Sequence, residues 1–287
     1  MSANHDMTRP HIAHWPPGLP LHLTLPETNL YHNVEVSAAR YPDKPFIVFY
    51  DTPISFAQFH RETEAIAGYL QHDCGVRAGD RVLLYMQNSP QWALAYYAIL
   101  RANAVVVPVN PMNMSDELRH YVADSGAAVA FVAQDLLPQL QPLCGEAAEP
   151  GVGPGSEAPG DNGAGRESPG HESPGHESPG HESPGNEGPG LTRMIVATYS
   201  DYLRQPSELP VPAFVSAPRQ PLPAGGAVAW ADVLAAGRKP GPLTAGPDDL
   251  CVMPYTSGTT GKPKGCMHTH RSVMCTAVGG IHWFGRT

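Results

Sequence analysis

Basic residues are scarce in this chain: 18 Lys and Arg stand against 27 Asp and Glu, a formal net charge of -9 over 287 residues. No basic tract occurs anywhere, which argues against nucleic acid as a partner, because phosphate backbones are gripped by clustered cations. No apolar run approaches the length of a membrane-spanning helix, so no transmembrane segment is expected. The opening stretch MSANHDMTRPHIAHWPPGLP lacks both the apolar centre and the cleavage pattern of a secretory signal, and a cytoplasmic protein is expected. Cysteines are few and odd in number, at Cys74, Cys144, Cys251, Cys266 and Cys275, without metal-type spacing. They read as small buried or partly buried side chains rather than a disulfide framework or a metal site.

Proline and glycine are not scarce: 32 Pro and 29 Gly lie well above ordinary usage. Many of them crowd into one stretch. From Arg166 the chain reads RESPG HESPG HESPG HESPG NEGPG, ending at Gly190. His171, His176 and His181 recur there beside Glu, as in a weak metal-binding tract. Flexible Gly-Pro spacers do not preorganise ligands, however, and such a composition buries too little apolar surface to fold. A disordered low-complexity linker over residues 144–190 is expected, with no metal site.

On either side of it the pattern is that of an α/β protein. An extended tail is expected over residues 1–25. The first α/β region, 26–143, begins with a helix over Thr28–Arg40, a strand at Phe46–Tyr50 and a turn at Asp51-Thr52-Pro53. Ser55 caps the next helix, with Gln58 in the capping-box position and Phe59, Ile66, Ala67 and Leu70 on one side. Arg81–Met86 is a continuous apolar strand, Ser89-Pro90 starts a helix, and Ala104–Val109 is a strand whose Pro108 belongs near an end or an edge. A helix follows from Ser115 to a stop at Gly126, then a strand at Ala127–Val132. The alternation predicts a doubly wound, mostly parallel sheet. In a second portion, 191–287, Arg193–Leu203 reads as a strand and a polar turn, Trp230–Ala236 as a short helix, and Leu250–Tyr255 as a strand.

That last strand enters YTSGTTGKPKG. Thr256, Ser257, Thr259 and Thr260 offer hydroxyls, and Gly258 and Gly261 let backbone N–H groups approach a ligand closely, in a stretch that closes at Gly265. With Lys262 and Lys264 beside them, these donors suit a phosphate. A mere Ser/Thr/Gly turn is the plain alternative. The P-loop of common NTPases is excluded by spacing, since only two residues separate Gly258 from Gly261 and Pro263 follows the lysine. A hairpin-like loop is expected instead, with a helix starting near Arg271-Ser272. His268 and His270 sit two apart and would share a face on a strand, where a structural pair is commoner than a ligand or base. Trp230, Trp283 and Tyr85 read as core or rim aromatics, and Asp248-Asp249 as a solvated turn.

YTSGTTGKPKG with CMHTHRSV resembles the phosphate-loop signature of the adenylate-forming enzymes, and ISFAQFHRETEAIAGYL and VRAGDRVLLYMQNSPQWALAYYAILRANAVVVPVNP resemble their N-terminal region. Asn103 stands where many members carry glycine. The wording is most similar to bacterial fatty acyl-CoA ligases. The resemblance implies a two-step reaction with ATP, Mg2+ and coenzyme A. A carboxylic acid, here a medium- or long-chain fatty acid, becomes acyl-adenylate and then passes to the thiol. It assigns residues 256–265 to the β- and γ-phosphates, with Lys262 and Lys264 offsetting charge on the leaving pyrophosphate. It places no catalytic residue here, since the family's catalytic lysine lies on later sequence. The sheet is therefore expected to be incomplete on its C-terminal side, and the chain to be inactive alone. Val273, Met274, Val278, Ile281 and Trp283 would then lack a surface to cover. A non-catalytic nucleotide- or pyrophosphate-binding module, an interaction protein recruiting partners through the repeat, and an adenylate-forming enzyme for an aryl or amino acid remain alternatives.

Overall fold

The computed structural model describes residues 12, 14–145, 190–256 and 262–285. The repeat up to Pro189, with its three histidines, and most of the 144–190 linker lie outside them. The chain forms α1 (His32–Arg40), β1 (Pro45–Phe49), β2 (Thr52–Ser55), α2 (Phe56–His72), β3 (Arg81–Tyr85), α3 (Pro90–Arg101), β4 (Val105–Val109), α4 (Ser115–Ser125), β5 (Val129–Ala133) and α5 (Leu137–Leu140). After the linker come β6 (Arg193–Ala197), α6 (Ala213–Ser216), β7 (Ala227–Ala229), α7 (Trp230–Ala235), β8 (Leu250–Val252), β9 (Tyr255–Thr256), β10 (Lys264–Gly265), β11 (His268–Thr269) and α8 (His270–Trp283).

Seven strands form the main sheet in the order β11-β8-β4-β3-β5-β6-β7. Those from β8 to β7 run parallel, and β11 closes one edge antiparallel to β8. The expected doubly wound α/β sheet is observed. Both faces are covered, so the central strands are apolar throughout rather than alternating with polar residues. Val82, Leu84, Val106 and Phe131 face a core shared with α2, α3 and α7. Leu83, Tyr85, Val107 and Val132 face the other side, with Leu118, Tyr121 and Val122 of α4. Successive crossover helices thus lie on opposite faces, as right-handed connections from a central strand require.

Local chemistry explains the element boundaries. The Ser55 hydroxyl accepts from Gln58 N at 3.2 Å, and that of Ser89 from Trp92 N at 3.1 Å, each satisfying a first-turn donor. Gly126 stops α4 in the left-handed region at φ 66°. Pro108 sits one residue from the end of β4. Val106 O accepts from Met253 N, so the missing N–H two residues on points to the same side, where β8 has already ended.

Several expectations need correction. The turn expected at Asp51-Thr52-Pro53 is made by Tyr50 and Asp51, both at positive φ (44° and 64°), while Thr52 and Pro53 belong to β2. Positive φ at two successive residues matches the twist of a two-residue hairpin. The first helix starts at His32 rather than Thr28. Gln58 does not complete the capping box; its amide turns forward to Glu62 Oε1 at 2.8 Å. The single strand expected over Leu250–Tyr255 is divided at Met253-Pro254 into β8 and β9. Cys275 is exposed, unlike the other four cysteines.

The flanks of the linker meet. Gly145 N donates to Leu191 O at 3.1 Å and Leu191 N to Leu143 O at 3.0 Å. β6 then resumes beside β5 with five paired residues. A second long-range feature is a strap at residues 238–247, which crosses the ends of α2 and α3 on its way into β8. Gln71 Oε1 accepts from Gly241 N at 2.8 Å, and Arg101 donates to Gly241 O at 2.9 Å. Asn103, at φ 63°, accepts on Oδ1 from Thr244 N (2.7 Å) and Ala245 N (2.9 Å) and donates to Pro242 O (3.0 Å). Asn103 thus holds a left-handed backbone, which asparagine tolerates better than most residues, and ties the strap with three hydrogen bonds.

Candidate phosphate-binding site

β8 runs parallel to β4, so the chain leaves the sheet at the edge where the parallel strands end. In open α/β sheets that edge is where ligands collect. Pro254 cannot extend the ladder, and the chain turns out into β9, which returns antiparallel as β10 with Lys264 opposite Thr256 and Gly265 opposite Tyr255. The strand-flanked hairpin expected from the sequence is therefore present. Of the nine residues singled out, Thr256, Lys262, Lys264 and Gly265 are described, the first three exposed. Ser257, Gly258, Thr259, Thr260 and Gly261 lie outside the described residues.

The hairpin is seated on α4. Tyr255 Oη donates to Asp124 Oδ2 at 2.6 Å, and the Tyr255 ring packs on Tyr121 with centroids 4.5 Å apart. One residue before β10, Pro263 O accepts from His120 Nε2 at 2.7 Å. Pro263 O can only accept, so Nε2 carries the proton. Burial, reinforced by the Asp124 carboxylate, holds the Tyr255 phenol well above its usual range, so it stays a donor. Behind the hairpin, Cys266 N donates to Pro254 O at 2.8 Å. A Cβ at Gly265 would lie 2.9 Å from Met253 Cγ, 3.0 Å from its Sδ and 3.4 Å from Tyr255 Cζ. Glycine is what lets β10 lie flat against β9 here.

The two histidines separate. His268 lies in β11 and is exposed, whereas His270 opens α8 and is 1% exposed, its Nδ1 accepting from Leu30 N at 3.0 Å. Burial lowers the His270 pKa, with Asp249 opposing, and its role is structural. The helix begins at His270, capped by the Thr269 hydroxyl. Trp230 and Tyr85 are core residues, while Trp283 is 58% exposed and meets Trp15 edge to face. Asp248 is paired with Arg271 at 2.7 Å, and Asp249 accepts from Gly246 N. Val273, Met274 and Val278 do find cover against the main core, which leaves Ile281 and Trp283 of the five apolar residues exposed. His120, Tyr121 and Asp124 were not singled out from sequence; their contacts with the hairpin span 131 to 143 residues, beyond the reach of any local pattern.

Chemically, the hairpin presents a threonine hydroxyl and two lysines, none of them in an ion pair among the described residues. Such donors suit an anion with several oxygens. Among the described residues no three His, Cys, Asp or Glu side chains gather as metal ligands, and no helix is long and apolar enough to cross a membrane.

The AMP-binding enzyme family matches the chain over residues 34–286. The chain belongs to that family. It is 30% identical over 250 residues to a long-chain-fatty-acid–CoA ligase of Escherichia coli O6:H1, covering 84% of this chain and 36% of the relative. It is 34% identical over 131 residues to a ligase of the same name from Bacillus subtilis, covering 46% and 23%. A solved long-chain-fatty-acid-CoA ligase from Archaeoglobus fulgidus superposes with a TM-score of 0.62 at 22% identity, over 95% of this chain and 43% of that one, which supports the fold. This AMP-binding chain therefore spans about a third or less of the length of these curated relatives.

Proposed function

We propose that this chain carries the phosphate-gripping, N-terminal part of an AMP-forming acyl-CoA ligase acting on a medium- or long-chain fatty acid. The observation that carries the reading is the hairpin at the C-terminal edge of a parallel sheet, in a chain 30% identical to a long-chain-fatty-acid–CoA ligase. In the proposed reaction a carboxylate oxygen attacks the α-phosphorus of ATP and the bond to the bridging oxygen breaks. Pyrophosphate leaves, and coenzyme A thiol later displaces AMP from the acyl-adenylate. Thr256, Ser257, Thr259 and Thr260, with the N–H groups of Gly258, Gly261 and Gly265, hold the β- and γ-phosphates. Lys262 and Lys264 offset the charge that grows on the leaving group, where fixed electrostatics count most. Magnesium, bound together with the nucleotide, would supply further positive charge to the phosphates that Thr256, Lys262 and Lys264 would hold. The chain spans 36% of that ligase, and its residues by themselves are proposed to bind nucleotide without turnover.

Titration with magnesium ATP and magnesium pyrophosphate tests the reading. Saturable binding is expected, and Gly261→Val, which blocks close backbone approach, should weaken it by about tenfold or more with the fold intact. Equal binding by a folded Gly261→Val protein removes the phosphate assignment. Steady acyl-CoA formation by this chain alone, assayed with both fatty and aryl acids, refutes the division of labour and identifies the acid class.

A further inference from the structure

The hairpin joins the sheet through β8 on one arm and β11 on the other, and among the described residues its side-chain hydrogen bonds to the rest of the fold come from one helix on one face. α4 supplies them from successive turns. Asp124 takes the Tyr255 hydroxyl on the incoming arm, and His120, four residues earlier, donates to Pro263 O on the returning arm. Residues four apart lie on the same side of a helix, so the pair forms a two-pronged clamp. Tyr121 lies between them under the Tyr255 ring, its hydroxyl accepting from Asn113 Nδ2 at 3.4 Å.

The base of the clamp is itself fixed. Leu118, Tyr121 and Val122 are buried against the sheet. Arg81 Nε donates to Ser125 O at 2.6 Å, and Ser115 Oγ to Gln139 O at 2.8 Å. The clamping atoms, by contrast, stand at the rim: Asp124 is exposed and His120 half-buried. A core needs neither group there, because Tyr121 and Val122 already supply the apolar packing. Two polar contacts, one per arm, constrain what the β9–β10 pairing does not: the tilt of the hairpin against α4.

We infer that His120 and Asp124 are positioning residues for phosphate binding, acting through Pro263 and Tyr255 to fix the tilt of the hairpin that carries Thr256, Lys262 and Lys264. The inference rests on the phosphate reading of the hairpin. It requires that removing the contacts weakens polyphosphate binding more than it weakens the fold, because Thr256, Lys262 and Lys264 lose their preset orientation.

The test uses the whole chain with magnesium pyrophosphate as the probe, measuring affinity by calorimetry and the thermal midpoint in parallel. Tyr255→Phe removes one hydroxyl and keeps the ring on Tyr121. His120→Ala with Asp124→Ala removes both prongs, and His120→Gln with Asp124→Asn restores a donor and an acceptor. The double alanine variant should bind pyrophosphate about tenfold more weakly and Tyr255→Phe about threefold, with the Gln/Asn pair regaining most of the loss. Binding by all variants within about twofold of the parent overturns the inference while leaving the phosphate reading intact. Loss of affinity that follows the thermal midpoint and is not regained by the Gln/Asn pair also overturns it, since the role is then structural. No binding by the parent chain overturns the phosphate reading itself, and the inference with it.

Discussion

Gly68, in the last third of α2, should not tolerate even a methyl group. An interior helix glycine ordinarily costs about 0.5–1 kcal/mol relative to alanine, so Gly68→Ala would by itself be stabilising. At this position the strap passes directly over the helix. A Cβ would lie 2.6 Å from Arg238 C, 2.7 Å from its O and 2.8 Å from Lys239 C, all backbone atoms that cannot rotate away. Nor can the strap lift freely. Arg238 is paired with Asp73 at 2.8 Å, His72 Nε2 donates to Lys239 O at 3.0 Å, and Gly241 is held by Gln71 and Arg101. Overpacking typically costs about 1–3 kcal/mol, and each stretched hydrogen bond adds about 0.5–1.5 kcal/mol. The clash therefore outweighs the propensity gain, leaving a net loss of about 1–3 kcal/mol. For a domain of this size that lowers the thermal midpoint by about 3–9 °C. Gly280→Ala in α8 is the control: its Cβ meets nothing within 4 Å, so the midpoint should hold or rise. Differential scanning calorimetry of both variants decides. A raised midpoint for Gly68→Ala would refute the close crossing.

Three further perturbations follow from the same geometry. His270 is neutral as an acceptor, and its folded pKa lies below the unfolded value near 6.5, so its contribution is full above that value and is lost as pH falls towards the folded pKa. The thermal midpoint should drop as pH falls below about 6.5, and less steeply in His270→Gln; parallel slopes would remove His270 from the account. Asn103→Gly should cost about 1–2 kcal/mol in urea unfolding through three lost hydrogen bonds, and Asn103→Ala more, because alanine also resists the positive φ; equal losses would contradict the backbone part of that reasoning. Excising Arg166–Gly190, with a Gly re-supplied before Leu191, should change stability by less than about 1 kcal/mol, since loop closure varies slowly with length and the flanks already meet at Leu143 and Leu191. A large fall in the midpoint would show that the repeat packs.

The parts of the fold legible in the sequence were those whose cause is local. Ser55, Ser89-Pro90 and Gly126 announce helix ends through side-chain or backbone chemistry within four residues. The apolar runs of β3, β4 and β5 follow from burial on both faces. The β1–β2 turn was misplaced because Tyr50 and Asp51 take positive φ without the glycine that usually signals it. β7, an Ala-Val-Ala segment, exists only because β6 is there to pair with it. The hairpin could be foreseen from strand-like flanks around a glycine loop, but its support could not. His120 and Asp124 read as ordinary polar positions of α4 until the fold brings Pro263 and Tyr255 beside them.

The strap also sets an order of events in assembly. Its bonds back to the first half of the chain join residues 139 to 216 positions apart, from Asn103 with Pro242 to Asn29 with Ala245. Contacts of such reach carry the largest loop-closure cost and are favoured only after nearer elements have formed. β3, β4 and β5, linked by helices of ordinary length, can pair first. β8 reaches its place beside β4 through the strap, and β9 and β10 follow it. The hairpin that presents hydroxyls and lysines is thus expected to be among the last parts organised, and a chain still folding does not yet present them together.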